Sequence, residues 1–279
     1  MVRAVRLRAA RVHRSRVLPA DKTRGDARRI DLRFGFSVAC ILAAMLWGGL
    51  AMPVVAADFP DSVRAREAAA RTRPALERDL ADKHLRFGAP LYVRIFKREG
   101  ELELWLRDGE NAGKGKYVLF RTYPICRYSG TLGPKRREGD AQAPEGFYSV
   151  APAQLNPSSN FHLAFNLGYP NAYDRIHGYT GSALMVHGNC VSIGCYAMGD
   201  AAIEQIYTLA SAALRAGQNQ FAVHVFPFRL SDAALAEQHG APWFEFWREL
   251  KPAYAVFERT RVPPQIEVEG GRYQIRAHD

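Results

Sequence analysis

The chain has 279 residues and an apolar fraction of 48 %, enough to bury a core. Its formal charge of +10 is unevenly spread: residues 1–57 hold 11 Lys/Arg against 3 Asp/Glu, which leaves 27 basic and 25 acidic residues beyond them. The body is therefore nearly neutral, and composition gives no case for nucleic-acid binding.

The leader starts with a series of arginines from Arg3 to Arg33, followed by an uncharged apolar run over 34–56. The run ends in Val54-Val55-Ala56-Ala57, small residues that suit signal-peptide cleavage after Ala57. It is also just long enough to span about 30 Å of hydrocarbon as an uncut anchor. In both cases the positive charge stays inside and the body is exported to the periplasm or cell envelope. The membrane is then met only through this N-terminal segment. Residues 58–86 are rich in Ala, Arg and Glu and read as a helical linker, a surface helix or stalk interrupted by Pro74.

From Phe87 the pattern becomes β-rich. Leu91-Tyr92-Val93-Arg94-Ile95-Phe96 reads as a strand, and Glu101-Leu102-Glu103-Leu104-Trp105-Leu106 alternates like a half-buried one. Glu99-Gly100 between them signals a hairpin turn. Further strands are expected over 117–125 and 147–150, separated by a loop-rich stretch with no phosphate-binding pattern. Residues 151–182 are irregular, and a loop of that length is usually functional. A short apolar run over 183–186 fits a buried strand ending at His187. Asp200 can N-cap a helix over 201–214, with Ile203, Ile206, Tyr207 and Leu214 on one face. A last strand over 221–228 is followed by a C-terminal extension, 229–279, with a helix over 243–250 and a short β tail.

Beyond Cys40 in the leader, the body keeps Cys126, Cys190 and Cys195. An odd number in an exported body leaves at least one thiol unpaired or paired between chains. If a disulfide forms, Cys126 with Cys190 is the pairing that leaves Cys195 free.

The stretch with chemical content is Met185-Val186-His187-Gly188-Asn189-Cys190-Val191-Ser192-Ile193-Gly194-Cys195-Tyr196-Ala197-Met198. A strand delivers an imidazole at its end, and a thiol follows after a glycine, just ahead of the expected helix. An adjacent imidazole and a helix N-terminus both lower a thiol's pKa. Gly194 permits close backbone approach, and N–H groups around it, with Ser192 and Gly188 in support, suit an oxyanion. A strand-end imidazole with a satisfied hydrogen bond and a small buried thiol would look the same in sequence. His187, Cys190 and Cys195 also offer three zinc ligands, but no further Cys/His pair lies at standard spacing, so no metal is expected. No paired carboxylates of glycosidase type are present.

His187-Gly188 followed by Ser192-Ile193-Gly194-Cys195 resembles the HG…S-x-G-C signature of the YkuD-type L,D-transpeptidase catalytic domain. Gly139-Asp140 and Pro144-Glu145-Gly146-Phe147-Tyr148 resemble that family's segment in which a Pro-x-Gly turn enters a strand. The resemblance covers roughly residues 87–228, and HG-x-C-V-S-I-G-C-Y-A-M looks like its YafK branch, the murein L,D-transpeptidases. In the family the loop from His to Cys is usually longer, and an apolar residue and an arginine usually follow the cysteine. Here Tyr196-Ala197 stand in those two places.

The resemblance implies a mostly β domain with flanking helices (α+β), a β-sandwich or barrel with an N-terminal helix and a C-terminal α/β extension. It implies Cys195 as nucleophile and His187 as proton acceptor and donor, acting without a cofactor on peptidoglycan stem peptides at an amide involving diaminopimelate. The acyl-thioester passes to an amine in transpeptidation or to water in an amidase that releases stem-linked peptide or protein. A non-catalytic wall-binding module is the alternative of another class. His177, 18 residues before Cys195, competes with His187 for the role of base. In the same irregular segment Arg175, Tyr169 and His177 are candidates for substrate binding, Arg175 by pairing with a free diaminopimelate carboxylate.

Overall fold

A computed structural model describes residues 59–109 and 115–276, so the expected export signal or anchor lies outside the described residues. Ser62 accepts the N–H of Ala65 and starts helix α1 (Val63–Ala81). The chain then forms β1 (Leu91–Phe96), β2 (Glu101–Arg107) and β3 (Tyr117–Pro124), all antiparallel neighbours. The Gly100 N–H closes the β1–β2 turn on the Lys97 carbonyl, at a φ of 66° that suits glycine. Next come β4 (Arg127–Tyr128), β5 (Gly146–Val150), β6 (Leu155–Asn156), β7 (Ala164–Asn166) and the single helical turn α2 (Ala172–Ile176). Strand β8 (Met185–His187), strand β9 (Tyr196–Ala197) and helix α3 (Asp200–Arg215) carry the His/Cys segment. The chain ends in β10 (Phe221–Phe226), α4 (Asp232–Ala236), α5 (Phe244–Thr260) and the hairpin β11 (Gln265–Glu269) and β12 (Arg272–Arg276).

The strands sort into two five-stranded sheets, ordered β3-β2-β1-β10-β5 and β4-β9-β8-β7-β6, plus the terminal hairpin. With the helices this is the expected α+β class. One face of the first sheet, with Leu91, Val93, Ile95, Leu102 and Leu104, joins a core that also takes Phe165, Val186 and Tyr196 of the second sheet. Helix α3 fills this core with Ile203, Ile206, Tyr207 and Leu214, the face expected from the sequence, and adds Leu209, Ala210 and Ala213.

Two readings change. Helix α1 is not a surface stalk: it packs on α3 and buries Ala68, Leu76 and Leu80 in the main core. Its small, widely spaced apolar residues suit a close helix–helix approach, and they give only a weak apolar pattern. The second change concerns the outer face of the first sheet. The alternation of β2 suggests half-burial, yet Glu103 is only 3 % exposed. Arg94 donates to it at 2.6 and 2.9 Å, Trp105 Nε1 at 2.8 Å and Arg229 at 2.7 Å. Helix α5 covers that face with Trp247, Leu250, Ala253 and Phe257, and its Glu258 takes a further bond from Arg94. The sequence reading ends this helix at 250, but α5 runs through Pro252 to Thr260. The 229–279 segment is thus a layer of the fold, within one unit over 55–279, rather than an appendage.

Candidate active site

Strands β8 and β9 run parallel, with Val186 opposite Tyr196 and His187 opposite Ala197. Only residues 188–195 connect them, fewer than the dozen or so a parallel crossover usually needs. The connection turns on two residues with positive φ, Asn189 at 58° and Gly194 at 145°. It is tied down on three sides. A disulfide joins Cys190 to Cys126, at the head of β4, so Cys195 is the free thiol among the described residues. Asp200 Oδ1 accepts the Asn189 N–H at 2.7 Å. The Gly199 N–H donates to the Asn189 carbonyl at 2.8 Å.

His187 is buried, and its Nδ1 lies 2.5 Å from the Gly188 carbonyl oxygen. A carbonyl only accepts, so Nδ1 carries the proton and Nε2 keeps its lone pair. The Phe161 ring packs 4.7 Å from the imidazole, tilted by 34°. Gly188 has a steric reason to be glycine. An added Cβ would sit 2.6 Å from Asp200 Oδ1, 2.8 Å from the Phe161 carbonyl oxygen and 2.9 Å from His162 Cβ.

The Cys195 Sγ accepts the Met185 N–H at 3.4 Å, and its S–H faces the Ala183 carbonyl at 3.7 Å. Ser192 Oγ donates to the Cys195 carbonyl at 2.7 Å and accepts the Gly194 N–H at 3.2 Å. One proposed oxyanion donor is therefore engaged by Ser192 in this state. His187, Cys195 and Ser192 line one cleft of about 420 Å³, together with Arg127, Phe161, Val191 and Ile193. Phe161, Val191 and Ile193 form exposed apolar lips, Ile193 being 86 % exposed.

Burial pushes the Cys195 thiol above its ordinary pKa, against the pull of the Met185 N–H and the positive charge of Lys135. Burial lowers His187, with the Gly188 carbonyl acting the other way. Both shifts favour a neutral thiol beside a neutral imidazole rather than a resting ion pair. Lys135 is fixed by Asp140 at 2.5 Å and by the Arg137 carbonyl at 2.8 Å. Burial would raise Asp140, but Lys135 and the N–H groups of Arg136, Arg137 and Gln142 hold it at about 2.

Several expectations need correcting. Cys195 is not at a helix N-terminus: β9 intervenes and α3 begins at Asp200. The N-cap is Gly199, and Asp200 instead braces the connection between β8 and β9. Cys190 is spent in the disulfide and cannot join His187 and Cys195 in a zinc set. His177 is not beside the thiol. It caps α2, donates from Nδ1 to the Tyr173 carbonyl and stacks on Tyr173 at 4.0 Å. Tyr169 is buried, with its hydroxyl on the Lys135 carbonyl at 3.1 Å. Arg175 donates to the Pro170 carbonyl and faces a separate cavity of about 790 Å³ between β5 and the terminal hairpin. None of these three lines the Cys195 cleft. Sequence reading missed Arg127 and Phe161. The only trace of Arg127 was its position next to Cys126, and Phe161 sat unmarked in the irregular stretch.

The L,D-transpeptidase catalytic-domain model, YkuD, matches residues 91–223. A curated relative from Escherichia coli strain K12, provisionally named L,D-transpeptidase YafK, is 48 % identical over 188 residues, covering 67 % of this chain and 74 % of that one. Among solved structures, the helical cell shape determining protein Pgp2 from Campylobacter jejuni aligns with 18 % identity and a TM-score of 0.39, over 70 % of this chain and 80 % of that one. Bd1075 from Bdellovibrio bacteriovorus aligns with 18 % identity and a TM-score of 0.35, over 65 % and 78 %. With nearly half its aligned residues shared with YafK over most of both chains, this protein belongs to the YkuD family of L,D-transpeptidase catalytic domains.

Proposed function

We propose that the protein is a cell-envelope enzyme in which Cys195 attacks an amide carbonyl involving diaminopimelate in a peptidoglycan stem. The observation that carries this reading is the shared cleft of Cys195 and His187, with Nδ1 of His187 spent on Gly188. Because the thiol rests neutral, attack is general-base assisted: the thiol proton moves to His187 Nε2 as the S–C bond forms. The negative charge on the carbonyl oxygen is taken by the N–H groups of Cys195 and Gly194, the latter after Ser192 lets go. His187 then gives its proton to the leaving nitrogen as the C–N bond breaks, leaving an acyl-thioester and a neutral imidazole. An incoming amine or water repeats the sequence in reverse and frees the thiol. The roles need no cofactor.

Hydrolysis is the second reading, in which a stem-linked peptide or protein would be released. It is favoured by Ala197, buried where the family usually carries an arginine after the cysteine. The test is incubation of purified peptidoglycan with the protein and with Cys195→Ala, followed by mass spectrometry. Cys195→Ala is expected to lower turnover by roughly three orders of magnitude or more. New cross-links mean transfer, and released peptide means hydrolysis. Full turnover by Cys195→Ala would refute the cysteine mechanism, and binding without any change in muropeptides would favour a wall-binding module. Iodoacetamide should alkylate Cys195 at a rate that keeps rising with pH beyond the ordinary thiol value, because the thiol's pKa is raised.

A further inference from the structure

Three strands of the second sheet set up one row of side chains. The register pairs His187 with Ala197 across β8 and β9, and Ala197 with Arg127 across β9 and β4. Paired residues of a sheet project to the same face, so His187, Ala197 and Arg127 share one. Two strand spacings, about 10 Å, separate the outer backbones, and the small Ala197 lies between them. Cys195, two residues before Ala197, falls on this face as well, and all three functional groups line the same cleft.

Several arginines of the fold are neutralised. Arg94, Arg121 and Arg229 are each paired with carboxylates. Arg127 is exposed, and among the described residues its guanidinium has no ion-pair or hydrogen-bond partner. The rest of the cleft is apolar apart from Ser192, His187 and Cys195, and no Asp or Glu lines it. An exposed arginine commonly just faces water. This one instead stands at an apolar lip, on a strand locked by the neighbouring Cys126 disulfide and hydrogen-bonded to the strand that follows the nucleophile.

We propose that Arg127 forms a carboxylate-binding subsite of the Cys195 cleft that takes the free carboxylate of the diaminopimelate residue. This rests on the substrate reading given under Proposed function. Diaminopimelate carries its free carboxylate several methylenes away from the backbone carbonyl. The apolar lips suit the methylenes, and a planar guanidinium suits a bidentate carboxylate. The role expected of Arg175 thereby passes to Arg127, since Arg175 opens into another cavity.

The test uses the full chain with Cys195→Ala, so that peptides bind without reacting, and two synthetic tetrapeptide stems. One has the free diaminopimelate carboxylate and the other has it as a carboxamide. By calorimetry, Arg127→Met in this background should weaken binding of the carboxylate stem by about tenfold to a hundredfold. The carboxamide stem should bind both proteins equally weakly, and Arg127→Lys should recover part of the loss. In the single variant Arg127→Met, which keeps Cys195, iodoacetamide should alkylate the thiol at the wild-type rate, which shows that the cleft is intact. Equal losses on both stems, or no loss on either, overturn the subsite while leaving the cysteine chemistry standing. Failure of both stems to bind the parental protein, with no Cys195-dependent turnover by the wild type, overturns the substrate reading and the subsite with it.

Discussion

The Cys126–Cys190 bond closes a loop of 64 residues between the head of β4 and the connection from His187 to Cys195. Cross-linking a chain over that span removes loop-closure entropy from the unfolded state, worth about 4 kcal/mol at 25 °C. The native loop has other anchors, from Asn189 to Asp200 and from Gly199 to Asn189, so most of the loss should come through the unfolded chain. The perturbation is the double variant Cys126→Ser/Cys190→Ser, and the assay is equilibrium urea unfolding at neutral pH. With a slope of about 2 kcal/mol per molar urea, the midpoint should fall by about 2 M with little change in slope. Thiol labelling of the unreduced, denatured wild type should reach Cys195 and leave Cys126 and Cys190 unlabelled. A variant within about 1 kcal/mol of the parent, or labelling of Cys126 and Cys190 in the unreduced wild type, would refute the reasoning.

Gly188→Ala introduces a Cβ within 2.6–2.9 Å of three groups, two of them on the Phe161–His162 wall of the cleft. Overpacking of this kind costs about 1–3 kcal/mol, and displacing the Gly188 carbonyl from His187 should lower kcat about a hundredfold. Parental kcat in Gly188→Ala would show that the carbonyl does not orient the imidazole. Asp174 is raised by burial from an ordinary 3.8 to about 6. Its folded pKa lies above its unfolded one, so its contribution to stability is full below about 4 and is lost as pH rises through 6. The difference corresponds to about 3 kcal/mol. Subtracting Asp174→Asn from wild type cancels every shared group, and the difference in unfolding free energy should fall by that amount between pH 4 and 7. A flat difference would rule out the buried carboxyl as its source.

Some of this was readable along the chain because it is local. The β1–β2 hairpin follows from two β-rich runs around Gly100, and the buried face of α3 from apolar spacing over one helix. His187 and Cys195 are close enough in sequence for a strand end and a glycine turn to suggest their meeting, and the family signature sharpened it. Helix α5 runs ten residues past its expected end and through Pro252, since its apolar stripe of Trp247, Leu250, Ala253 and Phe257 offsets one missing hydrogen bond. The burial of Glu103 was hidden because alternation shows that two faces differ but not whether a later helix covers the polar one.

For the site, the sequence by itself pointed to Cys195, to its imidazole neighbour His187 and to the glycines of the loop between them. Only the tertiary structure decided what surrounds them. It withdrew His177 and Arg175 to another part of the domain, set β9 between Cys195 and α3, and added the positive charge of Lys135 to the thiol's surroundings. It also brought Arg127, far from Cys195 in sequence, onto the same cleft. The reason is that a thiol's pKa and a cleft's lining depend on what crosses over it in space. Strand register and a long-range disulfide set that, and no spacing along the chain encodes it.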